Sequence, residues 1–78
     1  MQSQMKLRGG RNKMKKVEFV KEFKNCRHLS SFVIIKLPIA TFYADNYYFD
    51  KKHRNQVVFS WRDSEVGYCD VENIYEVL

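Results

Sequence analysis

The sequence predicts an α+β, mainly β domain: an N-terminal helix followed by a small, strongly bent, five-stranded antiparallel sheet or barrel. Three observations carry this expectation. The stretch from Ser31 to Trp61, SFVIIKLPIATFYADNYYFDKKHRNQVVFSW, holds most of the aromatic and β-branched residues, the types that fit a pleated, half-buried surface. Its apolar residues alternate or run in short blocks between turn-forming clusters, the spacing of strands rather than of a helix. Only the segment ahead of it, Lys15 to Arg27, carries a helical stripe.

The 78 residues are 45% hydrophobic and 15% aromatic, with three glycines and one proline, the composition of a folded chain. Separate cores need roughly 100 residues apiece, so one domain is expected. Residues 1–13, MQSQMKLRGGRNK, offer almost nothing to bury and read as a flexible basic arm. Residues 14–78 read as a single small β-rich domain.

Within it, Phe19, Val20, Phe23 and Cys26 fall on one helical face, and Lys21, Lys24 and Arg27 lie toward the C-terminal end, where the helix dipole favours cations. The early lysines 13, 15 and 16 work against that dipole. Phe32 to Leu37 reads as a buried strand and Pro38 as its end, since proline cannot donate to a ladder. Ile39 to Phe49 reads as one strand, with Phe42 and Ala44 on one side, Thr41 and Tyr43 on the other, and a bend at Asp45-Asn46. Asp50 to Asn55, DKKHRN, has no apolar residue and predicts a hairpin tip. Gln56 to Trp61 alternates, with Val57, Phe59 and Trp61 on one face. Arg62-Asp63-Ser64 predicts a turn, Glu65 to Val71 a returning strand with a bulge at Gly67, and Ile74 to Leu78 a closing strand. The succession has the outline of a small SH3-like or Sm-like barrel, an analogy of architecture that does not fix function.

The formal charge is +5, and it is unevenly placed. Residues 1–16 carry Lys6, Arg8, Arg11, Lys13, Lys15 and Lys16 and no acid, whereas beyond Arg62 there is no Lys or Arg while Asp63, Glu65, Asp70, Glu72 and Glu76 accumulate. A mobile cationic arm attracts polyanions by releasing their counterions. The hairpin tip adds Lys51, Lys52, His53 and Arg54 beside Tyr47 and Tyr48, cations next to flat rings, as single-stranded nucleic acid requires. A solvated turn with core-facing tyrosines accounts for the same residues. The candidate nucleic-acid-binding set is therefore Lys6, Arg8, Arg11, Lys13, Lys51, Lys52, Arg54, Tyr47 and Tyr48. The alternative set, for a protein partner, is Asp63, Glu65, Asp70, Glu72 and Glu76, whose carboxylates suit a basic surface or a neighbour's arm. On that reading the chain is an accessory or inhibitor protein of a phage or other mobile element, or a homo-oligomer subunit.

Other chemistry finds little support. Cys26, His28, His53 and Cys69 are isolated singles rather than paired ligand clips, so no metal or cofactor is expected, and the two cysteines read as small buried hydrophobes. No nucleophile elbow or glycine-rich oxyanion loop accompanies Asp50, His53, Ser60 or Ser64, so a non-enzymatic module is expected. Trp61 reads as a lid on the core. The longest apolar run, Phe32 to Ile35, is far short of the roughly 20 residues that cross a bilayer, and no secretory leader precedes it. A cytoplasmic protein with reduced thiols and no membrane association is the expectation.

Overall fold

The structure is a computed structural model that describes residues 13–78. The expected arm therefore lies outside the described residues, apart from Lys13. The architecture is α+β and mainly strand: helix α1 (Lys16–Leu29), then β1 (Val33–Lys36), β2 (Thr41–Ala44), β3 (Asn46–Phe49), β4 (Gln56–Trp61), β5 (Ser64–Asp70), a 3₁₀ turn (Val71–Asn73) and β6 (Glu76–Val77). Two three-stranded antiparallel sheets form, ordered β2-β1-β6 and β3-β4-β5.

Helix α1 starts where the local chemistry lets it. The backbone N–H of Lys15, the N-cap, donates to Glu18 Oε1 at 3.4 Å, which satisfies one group at the helix start. Met14 and Phe19 occupy the N′ and N4 positions, those of a hydrophobic staple, and both are fully buried. Two of the lysines that oppose the dipole find other partners. Lys16 Nζ lies 4.8 Å from the centre of the Phe49 ring, a cation–π contact, and Lys13 Nζ lies 3.7 Å from Glu72 Oε1. At the other end Arg27 donates from Nε to the carbonyl of Asp45 at 3.0 Å and from its terminal nitrogen to the carbonyl of Ser30 at 2.8 Å. The buried stripe is Phe19 and Phe23 with Cys26 half-buried, whereas Val20 is exposed.

The single strand expected over Ile39–Phe49 is two. Asp45 interrupts it, so β2 pairs with β1 in one sheet and β3 with β4 in the other. The Asp45 N–H donates to Ser60 O at 2.9 Å and its Oδ2 accepts the Arg62 N–H at 3.1 Å, so the bend is held by the β4–β5 end of the second sheet. The closing strand expected over Ile74–Leu78 forms, shorter, as β6. β6 adds to β1, with Ile35 opposite Val77 and Lys36 opposite Glu76, and Ile34 and Leu78 exchange backbone bonds of 3.1 and 2.8 Å. Six short strands in two sheets thus stand where one five-stranded sheet or barrel was expected, and among the described residues no ladder joins the two sheets into a closed barrel.

The core lies between the sheets and α1. Phe59 is central: its ring centroid is 6.1 Å from Phe19 of α1 and 5.4 Å from Phe42 of β2. Val33, Ile35, Ala44, Val57, Val71, Ile74 and Val77 close around it. The ladder between β4 and β5 shifts register between Phe59 and Ser60, leaving Val66 unpaired on β5, a bulge beside Gly67 that bends the sheet. Cys26 and Cys69 are free thiols, Cys69 buried and Cys26 half-buried.

Candidate functional site

The connection from β3 to β4 is built by Asp50. Its Oδ1 accepts the backbone N–H groups of Lys52 at 2.7 Å and His53 at 3.3 Å, an Asx-type turn in which the carboxylate replaces the missing ladder. These donors, that of Lys52 foremost, hold the Asp50 carboxyl below its ordinary range. His53 Nδ1 approaches the same oxygen at 3.7 Å. Behind this clamp Lys51, Lys52, His53 and Arg54 are all exposed, and no carboxylate among the described residues pairs with Lys51, Lys52 or Arg54. The loop base is closed by Gln56 N–H donating to His53 O at 2.9 Å and Val71 N–H to Asn55 O at 2.7 Å.

The two tyrosines beside the tip part company, because successive strand residues face opposite ways. Tyr47 turns inward, its ring 5.0 Å from Phe19 and 4.8 Å from Phe23 in edge-to-face contact. Tyr48 faces outward and is 57% exposed. Across the sheet it stands opposite Val58, and Val58 stands opposite Tyr68, which is 60% exposed. Val58 itself is only 4% exposed between them. With strands spaced about 4.8 Å apart, the two rings are rooted about 10 Å from each other on one face. Gln56 and Asp70 form the next row toward the tip.

Tyr68 was not picked out from the sequence. The signal that finds it is its place directly across β4 from Tyr48, which exists only once the register is known.

The remaining candidates are scattered. Lys6, Arg8 and Arg11 lie outside the described residues, and Lys13 is engaged with Glu72. The acidic set does not form one patch. Asp63 and Glu65 sit at one end of β5, Asp70 and Glu72 at the other, and Glu76 lies across from Lys36 on β6. No three of the described His, Cys, Asp and Glu residues come together as metal ligands. Among the described residues no helix is long and apolar enough to cross a membrane.

Depressions in the surface of the described residues include a pair of different character. A broad one of about 880 Å³ runs along Lys13–Glu18 to Asn55, Val71 and Glu72. A smaller groove of about 320 Å³ is lined by Phe32, Tyr43, Trp61 and Val66. Trp61, expected as a core lid, is half-buried and forms a wall of this groove instead, because β4 runs past the core at that end.

Fold and surface together define a small α+β chain with an aromatic sheet face beside a cationic loop, and an aromatic groove elsewhere. Comparison with protein-family models, with curated proteins and with solved structures finds no match.

Proposed function

We propose that this chain is a small non-enzymatic binding module that holds single-stranded nucleic acid on the outer face of the β3-β4-β5 sheet. Tyr48 and Tyr68 stack on bases, and Lys51, Lys52 and Arg54 meet the phosphates. The observation that carries the reading is the row Tyr48–Val58–Tyr68, two exposed rings on a rigid sheet next to three cations without carboxylate partners. Stacking on such a ring contributes about 1–3 kcal/mol per base and needs a base whose face is open, hence a single strand. The arm residues Lys6, Arg8 and Arg11 add charge that is not sequence-selective.

Fluorescence anisotropy with labelled oligothymidine, oligouridine and a duplex of equal length, over a series of salt concentrations, tests this. Single strands should bind in preference to duplex. Six cations, three in the arm and three at the tip, give a slope of log K against log salt of about −4, and removal of residues 1–12 flattens it to about −2. Tyr48→Ala and Tyr68→Ala should each weaken binding about tenfold without changing the slope. Absence of binding by either form at low salt, or tyrosine variants that bind like the parent, would overturn the proposal.

A further inference from the structure

Among the described residues, β5 is the longest of the outer strands: it has seven residues, against four in β2 and β3 and two in β6. We propose that its free edge takes an extended segment of a partner protein as an added strand, one that carries two basic residues with an apolar residue midway, in the order basic-x-apolar-x-basic. The inference does not rest on nucleic-acid binding, and its test contains no nucleic acid.

The ladder fixes which groups the edge presents. Asp45 N–H donates to Ser60 O and Asp50 N–H to Gln56 O, so the backbone groups of Gln56, Val58 and Ser60 face β3 and those of the residues between them face β5. Opposite Gln56, Val58 and Ser60 on β5 stand Asp70, Tyr68 and Glu65. Their N–H and C=O groups therefore point away from β4, and outside the ladder they bond to no backbone group of the described residues. The side chains of the same three residues share the outer face of the sheet. Val66 is unpaired, so the step from Tyr68 to Glu65 is three residues where that from Asp70 to Tyr68 is two, and the bulge brings Glu65 onto the face of the other two. All three are exposed, and neither carboxylate has an ion-pair partner among the described residues.

Charge selects the occupant. A strand laid about 4.8 Å beyond β5 sets three of its alternate residues opposite Asp70, Tyr68 and Glu65. Opposite charges directly across a ladder attract, and like charges repel. A second copy of this chain, paired edge to edge about Tyr68, would set Asp70 of each against Glu65 of the other, so the carboxylates guard the edge against self-association. β5 contains no Lys or Arg to relieve that repulsion. A helical partner has its backbone groups bonded internally and leaves those of the edge unmet. An extended segment with Lys or Arg at the outer two of the three positions meets the backbone groups and both carboxylates, and a β-branched or aromatic residue at the middle position packs beside the Tyr68 ring.

The probes are fluorescently labelled peptides of about ten residues, the length of a strand, read by anisotropy with the full chain. The first carries Lys-Thr-Val-Thr-Lys at its centre, the second has Glu for both lysines, and the third is the first with all the central amides N-methylated, which removes the ladder donors and keeps the charge. The lysine peptide should bind saturably, and the glutamate peptide about tenfold more weakly. The N-methylated peptide should not bind. Glu65→Lys together with Asp70→Lys, both at exposed positions, should invert the preference between the first two peptides. Absence of saturable binding by the lysine peptide, equal binding by its N-methylated form, or a folded charge-reversed protein that still prefers the lysine peptide would each overturn the proposal. Because no oligonucleotide is present, failure here leaves the nucleic-acid reading standing, and failure of that reading leaves this one.

Discussion

Gly67 shows how one residue carries a packing decision. Its φ is not positive, so backbone freedom is not the reason for glycine there. A Cβ at this position would stand 2.8 Å from Cζ and 2.9 Å from Cδ1 of Phe42, inside contact distance. Phe42 itself leans on Phe59 at the centre of the core, so it gives way only at a cost. Gly67→Ala should destabilise the protein by about 1–3 kcal/mol, read as a lower urea midpoint, with Phe42→Leu recovering part of the loss. Cys69, two residues on, is governed by burial in the same wall. Burial, and secondarily Asp70, pushes its thiol up to about 12 from the ordinary 9.0. The folded chain then keeps a proton that the unfolded chain releases above pH 9. Stability is intact below pH 9 and falls by about 1.4 kcal/mol per unit as pH rises from 9 toward 12. Cys69→Ala should flatten that part of the pH–stability profile relative to the parent.

Among the elements, the β4–β5 turn holds the most local strain. Arg62 and Asp63 connect Trp61 to Ser64 with φ of 51° and 68°, the left-handed pair of a type I′ hairpin, which favours Asn-Gly. Arg62 at the first position is not of that kind, and its guanidinium lies over the Trp61 ring instead. Arg62→Asn with Asp63→Gly should raise stability by about 0.5–1 kcal/mol, a rise of several degrees in Tm. The bend at Asp45 secures the same end of the sheet. Its carboxylate accepts the Arg62 N–H and its carbonyl accepts Arg27, so helix, bend and turn meet on one residue. Asp45→Ala leaves the Arg62 N–H without that acceptor and should cost about 1–2 kcal/mol, while Asn, which retains an acceptor oxygen, should restore most of it.

At the scale of the whole molecule, the two sheets are separate ladders that share one core. Phe59 belongs to the second sheet, yet its ring meets Phe42 of the first and Phe19 of the helix. The sheets therefore stand or fall together, and thermal unfolding followed by circular dichroism and by Trp61 fluorescence should give coincident curves. Phe59→Ala should cost about 3–5 kcal/mol. For a domain of this size that is comparable with the total stability, so the variant should be largely unfolded. Charge acts at this scale too. Asp70 shares the sheet face of Tyr68, one row nearer the cationic loop. Asp70→Asn should tighten oligonucleotide binding about two- to threefold at low salt, an effect that fades as salt rises.

What the amino-acid order determined by itself is local. The helix through Phe19 and Phe23, the strand ended by Pro38, the polar tip at Asp50–Asn55 and the alternation of Val57 and Phe59 are all written in spacing within a dozen residues, because backbone periodicity repeats over that distance. Tertiary structure alone decided the rest. Whether Ile39–Phe49 was one strand or two depended on where the Asp45 carboxylate found the Arg62 N–H, and which strand the last one joined depended on Val77 meeting Ile35. Tyr47 and Tyr48 are adjacent and alike, and only the position of Phe19 and Phe23 sends one inward and leaves the other exposed. The groove gathers Phe32, Tyr43, Trp61 and Val66 from four separate stretches. The physical reason is that a strand's own pattern says which residues share a face, while its partner and register are chosen by packing between distant segments, which no local spacing encodes.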